Sequence, residues 1–163
     1  MDAHQHSDLH DTHATHGSGA VTWGMAAQAT LHCLTGCAIG EVLGMVIGTS
    51  LGLHNGTTVV LSVALAFFFG YALTMRGVLR ANVPFRAAVK VALAADTVSI
   101  AVMEIIDNAI ILAVPGAMEA GISSVLFWAS LAFALAVAFV LTWPLNRAMM
   151  GRGKGHAVVH AYH

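Results

Sequence analysis

Charged side chains are scarce in this chain. Asp, Glu, Lys and Arg make up only 9% of its 163 residues, whereas soluble globular domains carry about 25%. This shortage excludes an ordinary soluble domain. The seven Lys and Arg residues fall into two short clusters, so they form no extended basic surface and we expect no nucleic-acid binding.

Cysteine is equally rare. Cys33 and Cys37 are the two cysteines of the sequence, which excludes a disulfide framework. The chain also lacks a hydrolase triad, a phosphate-binding loop and a dinucleotide fingerprint, so we expect no enzyme. Residues 1–20 have neither the basic start nor the apolar centre of a signal peptide, and we expect the first span to direct its own insertion.

Apolar residues dominate instead, at 58% of the chain with a mean hydropathy of +0.77. They form four runs, at about 24–53, 57–79, 87–114 and 122–145. Each run exceeds the about 20 helical residues that cross a bilayer. The sequence therefore predicts an all-α fold, an integral membrane four-helix bundle over residues 23–147, in a bacterial or archaeal inner membrane.

Two polar tails flank this domain. Residues 1–22 contain five histidines, and residues 148–163 are basic and contain three more. We expect the first tail to be disordered, because it has too few apolar residues to form a core. Such tracts bind zinc, nickel or copper loosely, although a solvated tail with no metal-binding role explains the composition equally well.

The basic residues predict the orientation. All Lys and Arg lie at 76–90 and 147–154, and the other two loops have none. Because basic loops remain in the cytoplasm, both termini and both His-rich tails are expected there.

Glycine recurs every fourth residue in the first run, at 36, 40, 44, 48 and 52. Small residues at this spacing let helices approach closely in lipid. The pattern predicts a packing face, but it leaves open whether another helix of the chain or another protein covers that face.

Potential metal ligands border the glycine line. They form the segment His32-Cys33-x-x-Gly36-Cys37-x-x-Gly40-Glu41, with Met45 one turn further. Thiol, thioether and imidazole groups favour copper(I) or zinc. The alternative is that each cysteine acts as a small buried apolar residue.

The third run carries acids in an apolar setting. Asp96, Met103 and Asp107 lie on one helical face, with Glu104 about one step around. Ionisable groups in hydrocarbon cost about 2.5–3.5 kcal/mol each on insertion scales, which suggests a bound cation. Counting along both helices places Cys37 near Asp96, Glu41 near Met103 and Met45 near Asp107. Neutral acids hydrogen-bonded to Thr97, Ser99 or Asn108 are the alternative.

These segments carry a resemblance. The H-C-x-x-G-C-x-x-G-E helix, together with the acids and Met103 of the third run, resembles a bacterial and archaeal domain-of-unknown-function family of small polytopic membrane proteins. The resemblance covers about residues 24–147. The resemblance implies the membrane fold and supports the choice of these residues as the candidate site. It implies no particular activity.

The sequence thus predicts a membrane protein that binds and transports a copper or zinc ion, as a homo-oligomer or as a subunit of a larger complex. The predicted ligands are His32, Cys33, Cys37, Glu41, Met45, Asp96, Met103 and Asp107. Two other functions remain open. One is an accessory subunit that docks through the glycine face, and the other is a thiol–disulfide oxidoreductase, which usually has Cys-x-x-Cys spacing instead.

Overall fold

A computed structural model describes residues 21–80 and 85–152. These residues form four α-helices: α1 (Trp23–Ser50), α2 (Asn55–Arg80), α3 (Phe85–Ala113) and α4 (Val125–Gly151). The all-α architecture is confirmed. Residues 1–20 of the first predicted tail and 153–163 of the second lie outside the described residues, as does the centre of the basic loop, whereas residues 148–151 of the second tail are part of α4.

The ends of the helices follow local chemistry. Thr22 caps α1 by accepting a hydrogen bond from the Met25 backbone N–H at 3.2 Å, and Ser124 caps α4 through Leu126 N–H, also at 3.2 Å. The fourth apolar run was expected at about 122–145, and the helix that contains it, α4, continues through Pro144 to Gly151. Proline removes one backbone donor, and the helix tolerates that loss here.

The four helices form a ring in which each contacts its two neighbours, and α1 and α3 also contact each other across the centre. The start of α1 lies beside the end of α4. There, Trp143 Nε1 donates to the Trp23 carbonyl at 2.9 Å, and the Arg147 guanidinium lies 4.1 Å from the centre of the Trp23 ring.

The glycine face of α1 packs against α2 of the same chain. A Cβ atom at Gly40 would overlap the backbone of Ala66, and one at Gly36 would overlap that of Gly70. Within the chain, α2 therefore covers this face at these positions, and an accessory role in a larger complex stays a prediction. Gly52 is not part of the face, since it follows the end of α1 with a φ of +62°.

Within the described residues, three helices are long and apolar enough to cross a membrane: Trp23–Ser50, Asn55–Gly77 and Val125–Gly151. The third helix, α3, was also predicted to span, but it is not among the three. Basic and acidic residues interrupt its apolar run at 86, 90, 96, 104 and 107. The positions of those side chains decide how α3 could lie in a membrane.

Candidate functional site

The ligand-type residues of α1 and α3 meet at the centre of the bundle. Helical spacing places Cys33 and Cys37 on one face of α1, where they are 1% and 0% exposed. On α3, the side chains of Asp96 and Asp107 are 0% exposed and that of Glu104 is 4% exposed. The acidic side chains that interrupt the apolar run of α3 are therefore inside the protein.

The two helices pair these groups across their contact. Cys33 Sγ donates a hydrogen bond to Asp96 Oδ1 at 3.5 Å. One turn further along α1, Cys37 lies beside the Glu104 carboxyl. Further along, the carboxyl of Glu41 is close enough to those of Asp107 and Glu104 to interact with them electrostatically.

The pairing predicted by counting is wrong by about one turn of α1. Asp96 lies beside Cys33 rather than Cys37, and Glu41 rather than Met45 lies beside Asp107. The sequence carries no measure of the axial offset between two helices that are not neighbours in the chain.

Three sulfur atoms belong to one buried cluster at this level. Cys33, Cys37 and Met103 pack together with Ile100, and all four are at most 1% exposed. Both cysteines are free thiols. The two thiols and the Met103 side chain are therefore buried in the interior of the bundle, where Cys33 lies beside Asp96 and Cys37 beside Glu104.

Several carboxyl oxygens in this region have no hydrogen-bond partner among the described residues. They are Glu41 Oε2, Glu104 Oε1 and both side-chain oxygens of Asp107. The other Glu104 oxygen accepts from Asn108 Nδ2 at 3.4 Å. Leaving a buried polar atom without a hydrogen bond costs about 1–3 kcal/mol. These carboxyl oxygens therefore favour a bound cation or a hydrogen-bond donor.

A cavity of about 290 Å³ lies at the end of the bundle opposite the Trp23–Trp143 contact. Glu41 and Met45 line it from α1, and Asn108 lines it from α3. Because Glu41 also approaches Asp107, the column of polar groups ends at this cavity.

Two predicted ligands lie away from the sulfur cluster. His32 is half-buried and faces α2, where it interacts with the backbone of Leu73. Met45 lines the cavity one turn beyond Glu41. The structure thus places Cys33, Cys37, Glu41, Asp96, Met103 and Asp107 one after another along the contact between α1 and α3, whereas His32 faces α2 and Met45 lines the cavity.

Across residues 21–80 and 85–152, no three His, Cys, Asp or Glu side chains are arranged to hold a metal ion. The Cys and acidic groups follow one another along the bundle axis in pairs and do not converge on one point. Met103 is buried in the same cluster as the two thiols.

Sequence reasoning left some of the polar centre out. Glu104 was not counted among the ligands, although it lies between Cys37 and Asp107. On α4, Asn146 Nδ2 donates to Thr30 Oγ1 at 2.8 Å and Asn146 Oδ1 accepts from Ser99. A signal for this face exists in the sequence, since small or polar residues recur every fourth position from 130 to 146.

Comparison with known proteins agrees with this picture at the level of family. No curated protein and no solved structure matches the chain. One family model matches residues 22–155, which include all four helices. The chain therefore belongs to the family described as Domain of unknown function (DUF4396).

Proposed function

We propose that this chain is an integral membrane protein that binds a transition-metal cation, copper or zinc, between α1 and α3 and carries it across the bilayer. The observation that carries the proposal is the buried cluster of Cys33, Cys37 and Met103, bordered by the carboxyls of Asp96 and Glu104.

The distribution of side chains supports insertion in lipid. On α3, Ile105 and Leu112 are 69% and 70% exposed, whereas Asp96 and Asp107 are fully buried. This is the reverse of a soluble helix, which turns its charged face toward water. Acids inside membrane proteins face the bundle interior in this way, so α3 can span the bilayer with the other three helices.

The orientation follows from the basic residues. The end of the bundle that carries Arg76, Arg86 and Arg147 is placed in the cytoplasm, because basic residues favour that side. The cavity then opens on the opposite side of a bacterial or archaeal inner membrane. Both termini, and with them the His-rich segments of the sequence, belong to the cytoplasmic side.

The donor set favours copper(I). Thiolate and thioether groups are soft ligands that select copper(I) or zinc, and carboxylates are harder. Two thiols and one thioether suit copper(I) most closely. Zinc is the second choice, and it would recruit a carboxylate such as Asp96 or Glu104 beside the thiols.

The arrangement along the axis supports movement as well as binding. Between the cavity and the sulfurs of Cys33 and Cys37, a cation would pass the carboxyls of Glu41 and Asp107 and then that of Glu104. Successive weak sites allow an ion to leave as well as to enter. One chain supplies all of these groups, so an oligomer is not required for the path.

Metal binding is tested on the full chain purified in detergent. Copper per chain is measured for the wild type, for Cys33→Ser with Cys37→Ser, and for Thr35→Ser, an exposed control on the same helix. We expect the double variant to lose one bound copper that the other two retain. An equal metal content in all three proteins contradicts the proposal, because histidines elsewhere in the chain are present in each.

Transport is tested in sealed vesicles that contain the same three proteins. We expect the wild type and the Thr35→Ser variant to carry copper(I) inward at equal rates, and the double cysteine variant to show the rate of empty vesicles. Binding without flux in the wild type would restrict the function to metal storage or delivery within the membrane.

A thiol–disulfide function is less well supported. Reactive cysteines occupy electropositive and partly exposed positions, whereas Cys33 and Cys37 are buried beside carboxyl groups.

A further inference from the structure

The cavity contains a second pair of sulfur atoms. Met45 of α1 and Met118 of the loop between α3 and α4 both line it. The two methionines belong to separate elements and line one space of about 290 Å³, whose wall also carries the carboxyl group of Glu41. Thioethers are soft ligands, and the cavity is large enough for water to accompany an ion, since each water needs about 30 Å³.

The loop holds Met118 at the cavity through its neighbours. Gly116 adopts a φ of +79°, a conformation that favours glycine. Ala117, which is 1% exposed, donates its N–H to the Val114 carbonyl at 3.1 Å, and Ala120 N–H donates to the Ala117 carbonyl at 3.3 Å. The turn is therefore anchored in the bundle, and Met118 has a defined place.

Glu41 supplies a charged group to the same space. It lines the cavity, its Oε2 has no hydrogen-bond partner among the described residues, and its carboxyl also approaches Asp107. An ion in the cavity thus contacts the first carboxyl of the path that leads to the cysteines. Glu119 lines the cavity too, and it is exposed, which adds negative charge near the opening.

We propose that this cavity is a capture site for a soft monovalent cation, copper(I), held by the thioethers of Met45 and Met118 and the carboxylate of Glu41. The inference rests on the proposed function for the identity of the ion, and it adds a site distinct from the cysteine cluster. Thioethers bind copper(I) without losing a proton, so capture here does not depend on a thiolate. The ion then moves inward along the carboxyls to the thiols.

Silver(I) serves as the probe, because it resembles copper(I) and is not oxidised in air. Binding to the full chain is measured by equilibrium dialysis for the wild type and for Met45→Leu with Met118→Leu. The matched control is Met25→Leu with Met75→Leu, two methionines that do not line the cavity. Leucine conserves the volume of methionine and disturbs packing little.

We expect the cavity variant to lose one silver ion per chain, or to bind it at least about tenfold more weakly, while the control binds as the wild type does. Met118→Cys, made in place of Met118→Leu, should restore silver binding, because a thiol is also a soft donor. Equal silver binding by the cavity variant and the control would overturn the inference. It would also be overturned if Met118→Cys did not recover the silver binding that Met118→Leu loses.

The double cysteine variant separates this inference from the proposed function. If it loses its own silver ion while the cavity variant binds fully, the cavity inference is wrong and the cysteine site stands. If it binds fully while the cavity variant loses one ion, the cavity inference stands and the cysteine site is wrong.

Discussion

Cys33 Sγ donates to Asp96 Oδ1 at 3.5 Å and thereby joins α1 to α3 across the centre of the helix ring. The two residues are 63 positions apart in the chain. A thiol and a carboxyl that are both buried at this contact define the level at which the proposed cation is held.

The coupling between these two residues is the first prediction. Cys33→Ser and Asp96→Asn should each weaken copper binding, and the two changes together should weaken it by less than the sum. Residues in direct contact couple by about 0.5–3 kcal/mol. Binding constants for the wild type, both single variants and the double variant give this value. Strict additivity would show that the two side chains do not act on the same ion.

The close packing of α1 and α2 is tested by Gly40→Ala. The added Cβ meets the backbone of Ala66, which cannot move aside as a flexible side chain does. We expect a loss of about 1–3 kcal/mol in the free energy of unfolding, typical of an overpacked core. Gly77→Ala on α2 is the control, because a Cβ there meets nothing within 4 Å. Equal stability of the two variants would show that the helices are further apart than described.

The unpartnered carboxyl of Asp107 predicts a conflict between stability and function. Asp107→Asn removes a buried ionisable group whose oxygens have no hydrogen-bond partner among the described residues. We expect the free energy of unfolding to stay equal or to rise, and copper flux in vesicles to fall, as in other proteins whose functional sites reduce stability. Thermal unfolding and flux are measured on the same preparation. A variant that is less stable but transports normally would assign Asp107 a structural role.

Removing the polar contacts of α4 should have the opposite effect, with lower stability and unchanged copper binding. Asn146 bridges Thr30 and Ser99, and so links α4 to α1 and α3. Asn146→Ala should lower the free energy of unfolding by about 1 kcal/mol, while copper bound per chain stays unchanged. Ser50→Ala is the control, because Ser50 is exposed and bonds only within its own helix. Loss of copper in Asn146→Ala would extend the site to α4.

Acidity should weaken binding at the cysteine site. A thiol must lose its proton to bind a metal, so protons compete with the cation and affinity falls as the pH falls. The wild type should therefore release protons when it binds copper, as measured by titration in a weakly buffered solution. The double cysteine variant should release fewer. Equal proton release by both proteins would place the bound copper elsewhere.

Much of the fold was predictable because it depends on local patterns. The lengths and positions of the four apolar runs located the helices, and glycine at every fourth position marked a close-packed face of α1. The same pattern did not reveal that α2 covers this face. That pairing depends on complementary small residues such as Gly70 and Ala66, which carry no distinct signal of their own.

The candidate site was predictable by residue type more than by geometry. Thiols and acids in apolar helices identified Cys33, Cys37, Asp96 and Asp107, because such groups are costly in hydrocarbon. The sequence could not order them into pairs, since the axial offset between α1 and α3 is a tertiary property. It also left Met118 unnoticed, because a loop methionine reveals its role only when the loop folds over the cavity.

X-ray absorption at the copper edge of the full, copper-loaded chain tests the central claim most directly. The account predicts a first shell that contains sulfur from Cys33, Cys37 and Met103, with fewer sulfur neighbours after Cys33→Ser and Cys37→Ser. A shell of nitrogen and oxygen alone, unchanged by those substitutions, would contradict it.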